Sequence, residues 1–227
     1  MARFDISGSS SRPIFSTKNI EDSMRDNQIA KTLVEEKPQL DSAVSNNTRP
    51  TDDLLAAAMQ TVDWEGRKDK QGNLVVYELP GGDMGGSYEV AGINDRYHPE
   101  AAQALKSMEP GLRKAYAAQY IEDYTKPLTS KLPEAYRPFF QDLAFNRGLA
   151  GATKFLQRAI GVKDDGLLGP KTISALEQMN PRDVLRQTSL EQLNYERQLA
   201  EQNPSRKKFL QGLENRIRNR LAIFGQV

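Results

Sequence analysis

From Pro99 onward, apolar residues recur at intervals of three and four, the period that gathers side chains on one side of an α-helix. That repetition confines most of the chain to helices packed on helices. "PEAAQALKSM" and "LRKAYAAQYIEDYT" predict two helices separated by "EPG". "PEAYRPFFQDLAFNRGLAGATKFLQRAIG" carries one long stripe: Phe139, Phe140, Leu143, Phe145, Leu149, Phe155, Leu156 and Ile160. Gly148 and Gly151 interrupt it. Glycine inside a helix costs roughly 1 kcal/mol against alanine, so a kink or a close helix approach is expected there. "DDGLLGPKTISALEQM" predicts a turn feeding a Pro-started helix. "PRDVLRQTSLEQLNYERQLAEQ" and "RKKFLQGLENRIRNRLAIF" complete the set. In the last helix Leu210, Leu213, Ile217, Leu221 and Phe224 form the inward face. Arg206, Lys207, Lys208, Arg216, Arg218 and Arg220 read as a solvated face.

Ahead of this helical part stands "TDDLLAAAMQTVDWE", with a Thr51 cap and Asp52 and Asp53 where the helix dipole favours acids. Leu54, Leu55, Ala58, Met59 and Val62 make its buried stripe, and Gly66 follows its end. "NLVVYEL" and "SYEVAGI", bounded by glycines, predict a small antiparallel hairpin. Residues 1–50 are polar and turn-rich, and a mean hydropathy of −0.65 with 38% hydrophobic residues agrees that part of the chain is not core. That tail is either an arm held by a partner through Ile14, Phe15, Ile20 and Met24 or a flexible arm. The fold class is therefore mainly α, with a small β-hairpin after the first helix and an extended N-terminal tail.

Composition removes several chemistries. The absence of cysteine excludes disulfides, thiolate metal sites and a cysteine nucleophile. The one histidine, His98, cannot form a His-rich metal site, and surface or capping roles are its usual ones. Net charge near +1 gives no bulk case for nucleic acid or an anionic membrane. No run approaches the ~20 apolar residues of a membrane span, and "MARFDISGSS" lacks the apolar centre of a signal peptide.

What remains is carboxyl chemistry around "VDWEGRKDKQGNLVVYELPGGDMGGSYEVAGIN". A helix that ends on Glu65, beside a β ribbon carrying acids, suits cleavage of a glycosidic bond. One carboxyl must stay protonated to donate to the leaving oxygen, and a second group must activate water or stabilise the oxocarbenium-like transition state. Burial against an aromatic such as Trp64 would raise a carboxyl pKa by desolvating its charged form. An exposed, solvated helix-end glutamate is the alternative.

"DWEG" at a helix end followed by "GDMGGSYEVAGIN" resembles the N-terminal motif of the glycosyl hydrolase 108 family, lysozyme-like muramidases frequent in phages. "FFQDLAFNRGLAGATKFLQRAIGVKDDGLLGPKTISAL" is similar to the predicted peptidoglycan-binding segment usually fused to it, through Asp142, Asn146, Gly148, Leu156, Gln157, Asp165, Gly166, Gly169, Pro170 and Thr172. "NPSRKKFLQGLENRI" resembles the family's end, with Leu213 where a Trp is frequent. The resemblance spans roughly residues 51–225. It implies a lysozyme-like catalytic part over 51–135 and a helical peptidoglycan-binding-like part over 136–227.

Carried over by position, the resemblance makes Glu65 the catalytic acid and Asp83 the group that orients water or stabilises positive charge. The family's threonine falls on Ser87 or, counted back from Gly92, on Glu89, where a carboxylate would be able to act as nucleophile. Glu78, in a lengthened hairpin, is a further rival for the second carboxylate. Trp64, Tyr88, Asn146 and Gly92 are the substrate-binding candidates; Tyr97 and Tyr120 are weaker ones. Asn146 reads equally as a buried, satisfied amide, and the Gly166–Pro170 turn as structural.

The implied function is an N-acetylmuramidase-like enzyme with peptidoglycan as substrate, needing no metal or other cofactor. The tail adds an expectation of a phage virion-associated lysin. Made in the host cytoplasm, it would dock on tail or ejection proteins through residues 1–50 and act on the host wall during genome delivery. A lytic transglycosylase and an inactive structural or peptidoglycan-binding virion protein are the rivals; a nucleic-acid binder is the weakest.

Overall fold

The Ala/Leu-rich run forms α1 (Leu54–Glu65), burying Ala57, Ala58, Thr61 and Val62 along one side. In the computed structural model residues 54–80 and 86–226 are described. The Thr51 cap, Asp52, Asp53 and the tail of residues 1–50 lie outside them.

The expected hairpin is present and gains a strand. β1 (Tyr77–Glu78), β2 (Tyr88–Val90) and β3 (Ile93–Asn94) form one antiparallel sheet in chain order. Glu89 pairs with Tyr77 on one side and Asn94 on the other, and Val90 pairs with Ile93. Only Ala91 and Gly92 separate β2 from β3, at φ 50° and 77°. Two successive positive φ values mark the mirror-image turn whose twist suits a tight hairpin. Along β2, Tyr88 and Val90 are buried while Glu89 between them is half-exposed, as alternation requires.

Six helices follow: α2 (Pro99–Ser107), α3 (Arg113–Thr129), α4 (Arg137–Ala159), α5 (Pro170–Glu177), α6 (Pro181–Gln202) and α7 (Lys207–Phe224). Among the described residues the chain is mainly helical, as the spacing predicts. The expected break in α4 falls at Gly148, whose φ of 71° and ψ of 160° interrupt the helix. A β-carbon there would meet nothing within 4 Å, so backbone conformation rather than crowding requires glycine at that bend.

α3 packs on α1 and α4, and α6 packs on α4 and α7. The buried residues form two clusters. One joins α1, the sheet, α2 and α3 through Val62, Val90, Ile93, Leu105 and Ile121. The other centres on Phe139, Phe140, Leu143, Leu156, Val184 and Phe224. Neighbouring alanines of α1 serve both: Ala57 the second, Ala58 the first. α1 is thus clamped along two sides, which holds its C-terminal end in place.

Candidate active site

Glu65 is the last residue of α1, and Gly66 donates its N–H to the Val62 carbonyl at 2.8 Å. A side chain on Gly66 would run into Leu74 and that carbonyl, so the glycine here permits close packing of the outgoing chain. The tight Ala91–Gly92 turn reaches the same place: a β-carbon on Gly92 would lie 3.4 Å from the Phe145 ring and 3.8 Å from the Glu65 β-carbon.

Beside this junction lies a groove of about 390 Å³. α1 lines it with Trp64 and Glu65, α4 with Asn146, and α7 with a row that includes Phe209, Gly212 and Arg216. The Glu65 side chain keeps 29% of its surface exposed. Loss of hydration pushes its carboxyl above the ordinary glutamate range. Arg216, with Nη2 at 3.1 Å from Oε1, pulls the other way, while the charges of Asp142 and Glu89 add to the rise. The partial negative charge at the C-terminal end of α1 also disfavours a carboxylate there.

The solvated basic face expected on α7 needs correction. Arg220 is fully buried and Arg216 keeps only 12% of its side-chain surface. Both converge on Asp142, which is itself fully buried in α4. Arg220 Nε donates to Asp142 Oδ2 at 2.5 Å and its Nη1 to Gln192 Oε1 at 2.7 Å. Arg216 Nη2 donates to Asp142 Oδ1 at 2.5 Å, and Thr61 Oγ1 donates to the same oxygen at 2.8 Å. Burial alone would raise the Asp142 carboxyl; the two guanidinium groups hold it below its usual value instead. Arg216 is therefore shared by two carboxyls, and its guanidinium also lies 4.4 Å from the centre of the Trp64 ring. Arg206, Lys207, Lys208 and Arg218 do remain exposed or half-exposed.

The signal for this network was positional. Arg220 stands three residues beyond Ile217 and four before Phe224, inside the apolar stripe of α7. Asp142 sits likewise between Phe139 and Leu143. A charge inside each of two packed stripes calls for an opposite charge beside it.

Of the other sequence-derived candidates, Asn146 and Glu89 lie near Glu65 and the remaining described ones do not line the groove. Asp83 lies outside the described residues. Glu89 is half-buried on β2 and near enough for its charge to act on Glu65. Ser87, exposed, gives its backbone N–H to Asp95 Oδ1 at 2.8 Å. Glu78 is exposed at the end of β1. Tyr88 is 8% exposed and belongs to the core, its hydroxyl donating to Gln103 Oε1 at 3.2 Å. Asn146 combines the two roles weighed for it: its Nδ2 donates to the Asp142 carbonyl at 2.9 Å, and it lines the groove. His98 Nδ1 is 2.7 Å from the Tyr120 hydroxyl, in an aromatic cluster with Tyr124 and Phe145. Tyr97 is exposed.

The Gly166–Pro170 turn has a structural centre. Buried Gln157 donates to Asp165 Oδ1 at 2.9 Å and to the Leu167 carbonyl at 3.0 Å, and accepts from the Gly166 N–H at 2.8 Å. One amide thus folds the loop that starts α5. Among the described residues no group of three or more His, Asp or Glu side chains is placed to hold a metal ion, and no helix is long and apolar enough to cross a membrane.

Chemically, the groove offers a partly desolvated carboxyl that can hold a proton, a cation 3.1 Å away able to stabilise its conjugate base, and an amide and aromatic rings for a polar, ring-shaped ligand. Residues 151–218 match the family model described as "Predicted Peptidoglycan domain". Gly212 and Arg216, on the α7 wall of the groove, fall inside that match. Among solved structures, SagA of Brucella abortus is similar in fold: TM-score 0.54 and 22% identity, over 76% of this chain and 96% of that one. No curated protein matches the chain.

Proposed function

We propose that the chain is a peptidoglycan glycosidase of the N-acetylmuramidase type, with Glu65 as its general acid. One observation carries the reading: a carboxyl shifted toward its protonated form opens into a groove, and the facing wall belongs to the segment that matches a peptidoglycan domain. The resemblance to the glycosyl hydrolase 108 family adds support at the same residue.

In the proposed reaction Glu65 gives its proton to the oxygen between N-acetylmuramic acid and N-acetylglucosamine as the bond to the muramic anomeric carbon breaks. The carboxylate left behind pairs with Arg216, already 3.1 Å away, so the charge that forms on Glu65 meets a placed cation. Glu89 or Asp83 then deprotonates a water that adds to the anomeric carbon, or adds there itself before water releases the sugar. Glu89 has the better support, since its charge acts on Glu65.

Digestion of purified peptidoglycan, read by mass spectrometry, tests the reading. Hydrolysis yields reducing muramic ends with wild type and almost none with Glu65→Gln. Anhydromuramic ends would transfer the reading to a lytic transglycosylase, and no release by either protein would end the enzymatic reading in favour of a binding or structural protein.

We further infer that the protein is a phage virion-associated lysin, docked on tail or ejection proteins through residues 1–50 and acting on the wall as the genome enters. The polar composition of that segment supports it. Deleting residues 1–50 should abolish incorporation into particles while cleavage of purified wall persists; particles that still carry the truncated chain would refute the docking role.

A further inference from the structure

Gly212 stands in the middle of α7, exposed, where a β-carbon would meet no atom within 4 Å. Its φ lies outside the left-handed region, so neither packing nor backbone conformation asks for glycine. An exposed glycine inside a helix nevertheless costs about 1 kcal/mol against alanine. What its missing side chain does leave is space in the groove, which Gly212 lines.

The residues around it complete a surface. Spacings of three, four and seven put Phe209, Gly212, Arg216 and Asn219 on one side of α7, with Asn215 at its edge. All five line the groove. Phe209 is 47% exposed, with Lys208 Nζ 4.6 Å from its ring centre. Asn215 accepts from Gln211 through Oδ1 at 3.0 Å. Asn219 is exposed and turns its side chain to the groove edge that it lines. An aromatic ring, a gap and two amides, in the same groove as an acid, match the needs of a pyranose strand. Its rings present apolar C–H faces, and its hydroxyl and acetamido groups both donate and accept.

We infer that this side of α7 is a glycan subsite in which a sugar of the strand lies over Gly212, flanked by Phe209, Asn215 and Asn219. The assignment rests on the glycosidase reading only in taking the strand on to Glu65. Gly212 is then a specificity-determining position, because any longer side chain fills the place of the sugar.

Binding is tested apart from cleavage, in Glu65→Gln protein titrated with soluble, peptide-free strands of alternating N-acetylglucosamine and N-acetylmuramic acid. Adding Gly212→Leu should weaken binding at least tenfold while the melting temperature stays level or rises with helix propensity. Asn219→Ala should weaken binding about three- to tenfold, and Gln202→Leu, an exposed position off the groove, should change nothing. Binding by Gly212→Leu within twofold of its parent, or no binding by the parent, overturns the subsite. A chain that binds strands through Gly212 yet never cleaves them upholds the subsite and defeats the glycosidase reading. A chain whose cleavage ignores Gly212→Leu defeats the subsite alone.

Discussion

Glu65→Gln should lower the rate of peptidoglycan cleavage by about 10²–10⁴-fold, the usual contribution of a positioned general acid, and leave strand binding close to wild type. The amide keeps the shape of the side chain and removes the transferable proton. In wild type the same group sets the alkaline limb of activity: cleavage should fall as pH rises through the raised Glu65 pKa, because only the protonated acid can donate. Stability follows with a definite sign. A carboxyl whose folded pKa is raised takes up protons more readily folded than unfolded, so its contribution to stability declines as pH climbs from the ordinary glutamate range through the folded value. At neutral pH Glu65→Gln should therefore melt no lower than wild type, and any advantage should close at acid pH. A thermal melting series against pH beside the rate profile checks both. A Glu65→Gln protein that cleaves at the wild-type rate would remove Glu65 from the mechanism.

Asp142→Asn should severely destabilise the fold, losing about 3–5 kcal/mol, the range for taking one partner from a buried ion pair. Asparagine keeps one oxygen and carries no charge, so its NH2 must face either fully buried Arg220 or the site where Arg216 and Thr61 meet, and neither guanidinium keeps this carboxylate as its counter-ion. Urea unfolding measures the loss. Because the folded Asp142 pKa is depressed, its stabilisation is present above the ordinary aspartate value and disappears as pH falls through the folded one; the two proteins should converge in strong acid. The change should also reach the groove. Asp142 raises the Glu65 pKa and occupies Arg216, so with asparagine in its place Arg216 turns more fully to Glu65. The alkaline limb of any remaining activity should then move to lower pH. An Asp142→Asn protein as stable as wild type would mean that the two arginines do not depend on this carboxylate.

Helices were the legible part of this chain because their signals are local. The run from Pro181 to Gln202, the proline that opens α5 and the bend at Gly148 follow from period and punctuation within a few residues. β3 was missed for the opposite reason. An alanine at positive φ contradicts local preference, and Ala91 is held there by a turn packed against Phe145 and Glu65. Within the site, Glu65 was readable as the end of a helix and by resemblance. Arg216 was not, since charged residues default to solvent and its partners lie on two other helices. Only the place of Arg220 and Asp142 within apolar stripes hinted at them. Gly212 shows the same limit: its sequence is an ordinary helix with one weak residue, and the open groove beside it appears only once α7 is packed.

General-acid catalysis by Glu65 requires that position 65 hold a proton where an ordinary glutamate would have lost it. Labelling glutamate side-chain carbons, assigning the Glu65 signal by its loss in Glu65→Gln, and titrating it by nuclear magnetic resonance measures this without substrate. Its midpoint should lie clearly above the ordinary glutamate range. A midpoint within or below that range would mean that Arg216 keeps Glu65 ionised, and would contradict its role as the acid.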